Sequence, residues 1–149
     1  MKKKRIKCSQ EFCVSCGLCS VACSIAHTSD IDNILFLDKN YMLQPRNNVS
    51  KREAVSFMNS CRNCEEPECI KACVSGAIIK TSDRKINLDS KKCIGCWSCI
   101  MVCPNGAIMQ AENEHGDKFS IKCDLCEGKE SPACVEICPN KVLTIEEID

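Results

Sequence analysis

Hydrophobic positions along this chain come in short, punctuated groups rather than in long periodic stretches. Ala77 to Thr81 and Lys85 to Asp89 flank the polar Ser82-Asp83-Arg84, with Ile86 and Leu88 alternating to one side, which predicts a hairpin. The pattern repeats further on. Ala107 to Glu112 and Lys118 to Lys122 flank a polar turn containing Gly116, and Phe119 and Ile121 alternate in the same way. Val142 to Ile145 reads as a final strand. Its expected partner is the opening strand around Arg5 to Lys7, because neither has an adjacent hairpin mate, and that pairing would join the chain ends. Short helices are expected at Cys19 to Ala26 and Cys99 to Val102, and Pro104 and Pro139 exclude their predecessors from comfortable helix. The fold class is therefore α+β, with short helices, two-stranded antiparallel sheets and much irregular structure.

Composition adds a difficulty. A chain of 149 residues suits one or two small domains, but aromatic residues make up only 4% of it, leaving few large side chains for a conventional core. Something else must hold the fold together. Lysine and arginine balance aspartate and glutamate at 20 each, so overall electrostatics suggest neither nucleic acid nor an anionic membrane, and the expected partner is another protein. Met1 to Arg5 is basic, yet no apolar run follows before Cys8, so neither a cleavable signal nor an anchor is expected. With no apolar stretch of membrane-spanning length, the expectation is a soluble cytoplasmic protein, where thiols stay reduced and cysteine clusters bind metal rather than pair. An odd cysteine count, 17, weakens a disulfide reading further.

Sixteen of those cysteines fall into four runs. The first is Cys13-x2-Cys16-x2-Cys19-x3-Cys23, and the third repeats it as Cys93-x2-Cys96-x2-Cys99-x3-Cys103, followed by Pro104. This is the bacterial ferredoxin spacing. The second, Cys61-x2-Cys64-x4-Cys69-x3-Cys73, and the fourth, Cys123-x2-Cys126-x7-Cys134-x3-Cys138 with Pro139, keep both ends and lengthen the middle. A cubane needs three thiolates wrapped from one loop, with backbone N–H groups aimed at the sulfurs. Gly17 and Gly95 permit positive φ or close backbone approach in that wrap. The closing CxxxC step puts the third and fourth cysteines on one helical face, about 5–6 Å apart at Cβ. They can then serve neighbouring clusters, as in two-cluster ferredoxins. Four runs imply two such pairs, and hence four [4Fe–4S] clusters.

Zinc is the alternative metal, since CxxC pairs also build ribbons and knuckles. Spacing argues against it, because the third cysteine inserted at x2 in two of the runs would crowd a tetrahedral ion. Cys8 lies outside every run and, with Ile6, fits one face of a short strand as a small buried hydrophobe. His27 reads as the end of a helix and His115 as a solvent-facing turn residue. If the chain ends pair, runs one and four share one domain and runs two and three, only 20 residues apart from Cys73 to Cys93, share the other. The alternative pairs first with second and third with fourth. Residues 24–60 form a polar insertion with Phe36, Tyr41 and Phe57 but no ligands; it could cover clusters or meet a partner, with a solvated loop as the default.

With those runs in view, the chain resembles the four-cluster ferredoxin-type subunits of molybdenum and tungsten oxidoreductases. Cys61-Arg-Asn-Cys-Glu-Glu-Pro-Glu-Cys69, Cys93-Ile-Gly-Cys-Trp-Ser-Cys-Ile-Met-Val-Cys-Pro104, Cys123-Asp-Leu-Cys126 and Pro-Ala-Cys-Val-Glu-Ile-Cys-Pro139 look closest to the small iron–sulfur subunit accompanying carbon monoxide dehydrogenase. Subunits of formate dehydrogenases, hydrogenases and aldehyde oxidoreductases are similar. The resemblance implies one cluster on Cys13, Cys16, Cys19 and Cys138, and a neighbour on Cys123, Cys126, Cys134 and Cys23. A third falls on Cys61, Cys64, Cys69 and Cys103, and a fourth on Cys93, Cys96, Cys99 and Cys73. The modules are then residues 1–23 plus 104–149, and residues 61–103, linked by the insertion 24–60. A shorter fourth run, fewer residues between runs and no extended C-terminal docking region separate it from large respiratory members, so direct membrane insertion is not expected.

The function implied is electron transfer between a catalytic oxidoreductase subunit and a second redox protein, within a hetero-oligomer. An independent enzyme lacks support: there is no glycine-rich nucleotide loop, and every clustered nucleophile is already assigned as a ligand. A structural or filament-forming scaffold, in which metal serves folding alone, is the rival of another class. Lys2 to Arg5 would suit an acidic partner but reads equally as a solvated terminus.

Overall fold

The computed structural model describes residues 3–28 and 44–148. Phe36 and Tyr41 therefore lie outside the described residues, as does Lys2. The chain opens with β1 (Lys3–Cys8), a 3-10 turn (Gln10–Phe12) and α1 (Leu18–His27). A hairpin of β2 (Asn48–Arg52) and β3 (Val55–Asn59) follows, then α2 (Glu68–Lys71) and the hairpin β4 (Ile78–Lys80) and β5 (Ile86–Leu88). The chain continues through α3 (Ser98–Val102), β6 (Ile108–Glu112), β7 (Lys118–Lys122) and α4 (Ala133–Ile137) to β8 (Leu143–Ile148). Every sheet among the described residues has two antiparallel strands.

The chain ends do meet. β1 pairs with β8 in a register that sets Ile6 opposite Ile145 and Cys8 opposite Leu143. The two hairpins after the second and third runs also form where alternation predicts them. β4 and β5 are shorter than expected, but Thr81 N–H donates to Lys85 O at 2.8 Å and Asp89 N–H to Ala77 O at 2.8 Å, so the ladder contacts extend to the expected limits.

Two departures carry information. Within 24–60 the solvated-loop default fails over the described part: residues 48–59 form a ribbon in which Met58 is buried and Val49 packs on the same core. Glu53 adopts a left-handed φ of 51° at its turn, a conformation unfavourable for most residues and invisible to an alternation count. The second departure is β7. Half-buried Phe119 and buried Ile121 mark its apolar face, yet Ser120 and Lys122 on the other face are buried too. That face looks onto sulfur rather than water.

Two cores result. Ile6, Met58, Val142 and Leu143 pack with Cys19, Cys61, Cys123 and Cys134, while Ile78, Ile86 and Ile108 pack with Cys99. Cysteine fills the places that large aliphatic side chains would otherwise occupy. Helix pairs sit on these cores, α1 against α4 and α2 against α3.

Candidate metal centres

The four CxxC turns share one backbone device. Their third residues, Ser15, Asn63, Gly95 and Leu125, all have left-handed φ, at 57°, 47°, 66° and 62°. Such a residue following right-handed or extended backbone turns successive N–H groups toward a common point, the concavity that suits anionic sulfur. In the first and third runs a second left-handed residue, Gly17 or Trp97, immediately precedes α1 or α3. In the lengthened runs an extended proline, Pro67 or Pro132, takes that place before α2 or α4. The third cysteine of each run is thereby carried at the start of a helix. The fourth lies inside α1 for Cys23, at the helix end for Cys103 and Cys138, and just beyond it for Cys73.

Side chains from different runs then come together. Cys13, Cys16 and Cys19 line one cavity with Cys138, and Cys93, Cys96 and Cys99 line another with Cys73. Cys134 lies in the electrostatic field of Cys123, Cys23, Cys126 and Cys19, and Cys69 in that of Cys61, Cys103 and Cys64. All sixteen are free thiols. Burial pushes the Cys69 thiol up to about 11 and the Cys123 thiol up to about 12, and raises Cys134 further, with neighbouring sulfurs adding to the effect. Cys73 behaves differently: burial raises it, but the Ser75 hydroxyl and the N–H groups of Ile78, Ala77 and Ser75 outweigh that and lower it. The Ser98 hydroxyl lowers exposed Cys96. Buried thiols crowded against one another are poor neighbours until a cation takes their protons' place, so the donor set suits a thiophilic metal.

Hydrogen bonds to sulfur complete the setting. Backbone N–H groups of Arg46, Ala107, Ser120 and Leu125 reach Cys23 at 3.3 Å and Cys103, Cys93 and Cys123 at 3.4 Å. A model of the 4Fe–4S dicluster domain matches residues 53–148 of the chain. The chain belongs to the 4Fe–4S dicluster family. Its cofactor is the [4Fe–4S] cluster, the all-thiol donor sets fit it, and the cysteine count is compatible with four.

An iron–sulfur protein of Rhodospirillum rubrum is 37% identical, over 93% of this chain and 80% of the relative. The electron transport protein HydN of Escherichia coli K12 is 32% identical, over 88% of this chain and 81% of HydN. In three dimensions the chain resembles the BamBC active-site complex of benzoyl coenzyme A reductase bound to benzoyl-CoA. The TM-score is 0.51 at 20% identity, over 99% of this chain and 81% of the other, a likeness of fold. No helix among the described residues is long and apolar enough to cross a membrane.

Several residues that hold this dicluster site escaped the motif reading. Asn63, buried inside the second CxxC, donates to Lys4 O at 2.9 Å and accepts Ile86 N–H at 3.1 Å, tying the loop to β1 and β5. Asn47 donates to Cys19 O at 3.1 Å and accepts the Ser20 hydroxyl at 2.8 Å. Asp124, between Cys123 and Cys126, accepts Cys126 N–H at 2.9 Å, lies 2.9 Å from His27 Nε2 and pairs with Arg46. His27 does end α1, and it is also raised to about 10, chiefly by Asp124, whose own carboxyl is held at about 2. His27, Asp124 and Cys126 bring ligating atoms within 4.8 Å of one another, but Asp124 is already committed to both cations. Cys8 is half-buried rather than buried; its sulfur accepts Met58 N–H at 3.4 Å, and Cys13 and Cys138 lie close enough to help raise its thiol. His115 is exposed in the β6–β7 turn, as expected. For Asn63 and Asp124, a polar residue inside a CxxC was the available signal.

Proposed function

We propose that this chain is an electron carrier that relays electrons through four [4Fe–4S] clusters between a catalytic oxidoreductase subunit and a second redox protein. The ligand sets are Cys13, Cys16, Cys19 and Cys138; Cys123, Cys126, Cys134 and Cys23; Cys61, Cys64, Cys69 and Cys103; and Cys93, Cys96, Cys99 and Cys73. The clusters supply the redox chemistry; the chain's residues space them, exclude water and hydrogen-bond their sulfurs. The modules are residues 1–23 with 104–149 and residues 61–103, joined by 24–60.

One observation carries the reading: thiols from distant runs converge in sets of four that follow one another through the molecule. α1 on α4 links the first set to the second, the core shared by Cys61, Cys123 and Cys134 links the second to the third, and α2 on α3 links the third to the fourth. The two exposed cysteines, Cys16 and Cys96, belong to the outermost sets. Exposed apolar side chains share each cavity wall, Phe12 and Val14 with Cys16 and Ile94 with Cys96, at 64–65% exposure. Two such faces suit two protein contacts, one for entry and one for exit. The likeness to HydN, named an electron transport protein, supports the carrier role.

The catalytic subunit is one of the carbon monoxide dehydrogenase type, with formate dehydrogenase, hydrogenase and aldehyde oxidoreductase as the competing classes, and the exchange takes place in the cytoplasm. Anaerobic purification followed by iron and sulfide determination should give about four cubanes per chain. Candidate catalytic subunits, supplied with their substrates, should then reduce those clusters. Clusters that stay oxidised beside every candidate would instead favour the scaffold reading.

A further inference from the structure

Lys122 closes β7 with 4% of its surface exposed. Its ammonium donates to the neighbouring carbonyl, Cys123 O, at 2.8 Å, and none of the ion pairs among the described residues includes it. Burying an ammonium against one carbonyl is strongly unfavourable unless negative charge lies near. Two thiols fall within its electrostatic reach, Cys123 and Cys69. They belong to different sets, the second and the third, at the point where the two cores approach.

The rest of β7 shows that this placement is part of a pattern. Ser120, two residues earlier on the same face, donates its N–H to Cys93 Sγ at 3.4 Å and has its hydroxyl 3.3 Å from Cys99 Sγ. One strand face thus meets the fourth set, then the third, then the second. It presents a hydroxyl to the first of these and a fixed charge between the other two.

We infer that Lys122 is a shared counter-charge for the second and third cysteine sets, raising the reduction potential of both clusters and so favouring the electron at the junction between the two halves of the relay. This rests on the cluster reading above. Each electron added to a thiolate-bound cluster makes it more negative, and a buried cation stabilises the reduced form over the oxidised one. The carbonyl contact positions the ammonium without neutralising it.

The test uses the full cluster-loaded protein in an anaerobic redox titration followed by electron paramagnetic resonance, with Cys69→Ser and Cys123→Ser identifying the two spectra. In Lys122→Met and Lys122→Gln, the glutamine keeping an N–H for the carbonyl, the reduction equilibria of both clusters should fall by about tenfold, 59 mV for a one-electron couple. The other two should stay within twofold, and Lys122→Arg should restore the wild-type values. Unchanged potentials in the neutral variants, or a shift confined to one cluster, would overturn the inference. If the neutral variants lose the iron of these two sets, Lys122 is needed to hold the clusters rather than to set their potential, and the inference is overturned whether or not Lys122→Arg retains it. Because potentials are read on the isolated chain, failure of a partner to exchange electrons would count against the carrier reading alone.

Discussion

Around the first and fourth runs the fold uses long elements: the six-residue strands of β1 and β8 and the ten-residue α1, reinforced by the His27–Asp124–Arg46 cluster. Around the second and third it uses α2 of four residues, α3 of five, and three-residue strands in β4 and β5. Burial follows the same division. Cys19, Cys23, Cys123, Cys126 and Cys134 are buried in the first region, whereas in the second only Cys61 and Cys99 are, and Cys61 joins the first region's core. Chain connectivity explains part of this. About 100 residues separate Cys23 from Cys123 and about 20 separate Cys73 from Cys93, a fivefold difference worth about 1.4 kcal/mol in loop closure. Burying Ile6 and Leu143 along the terminal ribbon contributes about 1.5–3 kcal/mol for each side chain, enough to offset it. The terminal region therefore needs its ribbon, and the central region can rely on a short connection.

Ligand replacement should have the largest effect and tests the division directly. Cys138→Ser should abolish the cluster of the first run, more than 100 residues away in sequence, and Cys103→Ser that of the second run, with iron falling by about a quarter in each case. Cys138 also leads into β8, so its variant should lose more thermal stability. Paramagnetic resonance showing the third-run cluster gone from Cys138→Ser would break the comparison.

Iron retention across pH should separate the regions next. Without metal, Cys123 lies at about 12 and Cys69 at about 11, against an ordinary 9.0. A raised thiol stabilises the iron-free fold below pH 9.0, a contribution lost as pH climbs through 11–12, so near neutrality these groups hold their protons and iron must displace them. Acidification then favours iron release. Between pH 8 and 6, competition with a chelator should strip the second set before the fourth, where burial raises Cys99 but Cys73 and Cys96 are lowered. The reverse order at equilibrium, read from the two spectra, would remove burial as the distinguishing cause.

Glycine substitutions give a smaller and more local contrast. A Cβ on Gly95 would stand 2.6 Å from the Lys118 carbonyl oxygen, on the backbone of β7, with φ at 66°, while one on Gly17 would meet nothing within 4 Å at φ 78°. Gly95→Ala should destabilise by about 3 kcal/mol, clash and strain together, and Gly17→Ala by about 1 kcal/mol from strain alone. Anaerobic denaturation midpoints measure both. Equal losses would mean that β7 yields to the extra methyl.

Much of this was legible in advance because ligand spacing is a strict geometric demand. The four runs and both hairpins follow from spacing, alternation and turn residues, and the joining of the ends from the lack of an adjacent hairpin mate for either terminal strand. The β2–β3 ribbon was not, since Lys51, Arg52 and Glu53 read as solvated polar chain and its stability comes from Val49 and Met58 covering cysteines. Nor were Ser120 and Lys122. A polar residue on a strand ordinarily faces water, and only the fold shows that this face meets sulfur. Asp124 and Asn63 sat in plain view inside CxxC turns, but their partners, His27, Arg46, Lys4 and Ile86, are chosen by tertiary placement.

The finest contrast lies between the two runs of identical spacing. Each needs two left-handed residues, and each has one glycine, in opposite places: Ser15 and Gly17 in the first run, Gly95 and Trp97 in the third. Left-handed backbone is unfavourable by about 1–2 kcal/mol for a residue with a Cβ, and a new glycine returns about 0.5–1 kcal/mol of that through the freedom it adds to the unfolded chain. Ser15→Gly should therefore stabilise the cluster-loaded protein by about 0.5 kcal/mol. Trp97→Gly relieves the same strain but removes a partly buried indole from the wall of the cavity lined by Cys73, Cys93, Cys96 and Cys99, so its net effect should be destabilising. Denaturation midpoints of opposite sign are expected. A stabilised Trp97→Gly would mean that relief of the left-handed strain outweighs the packing of the indole in that wall.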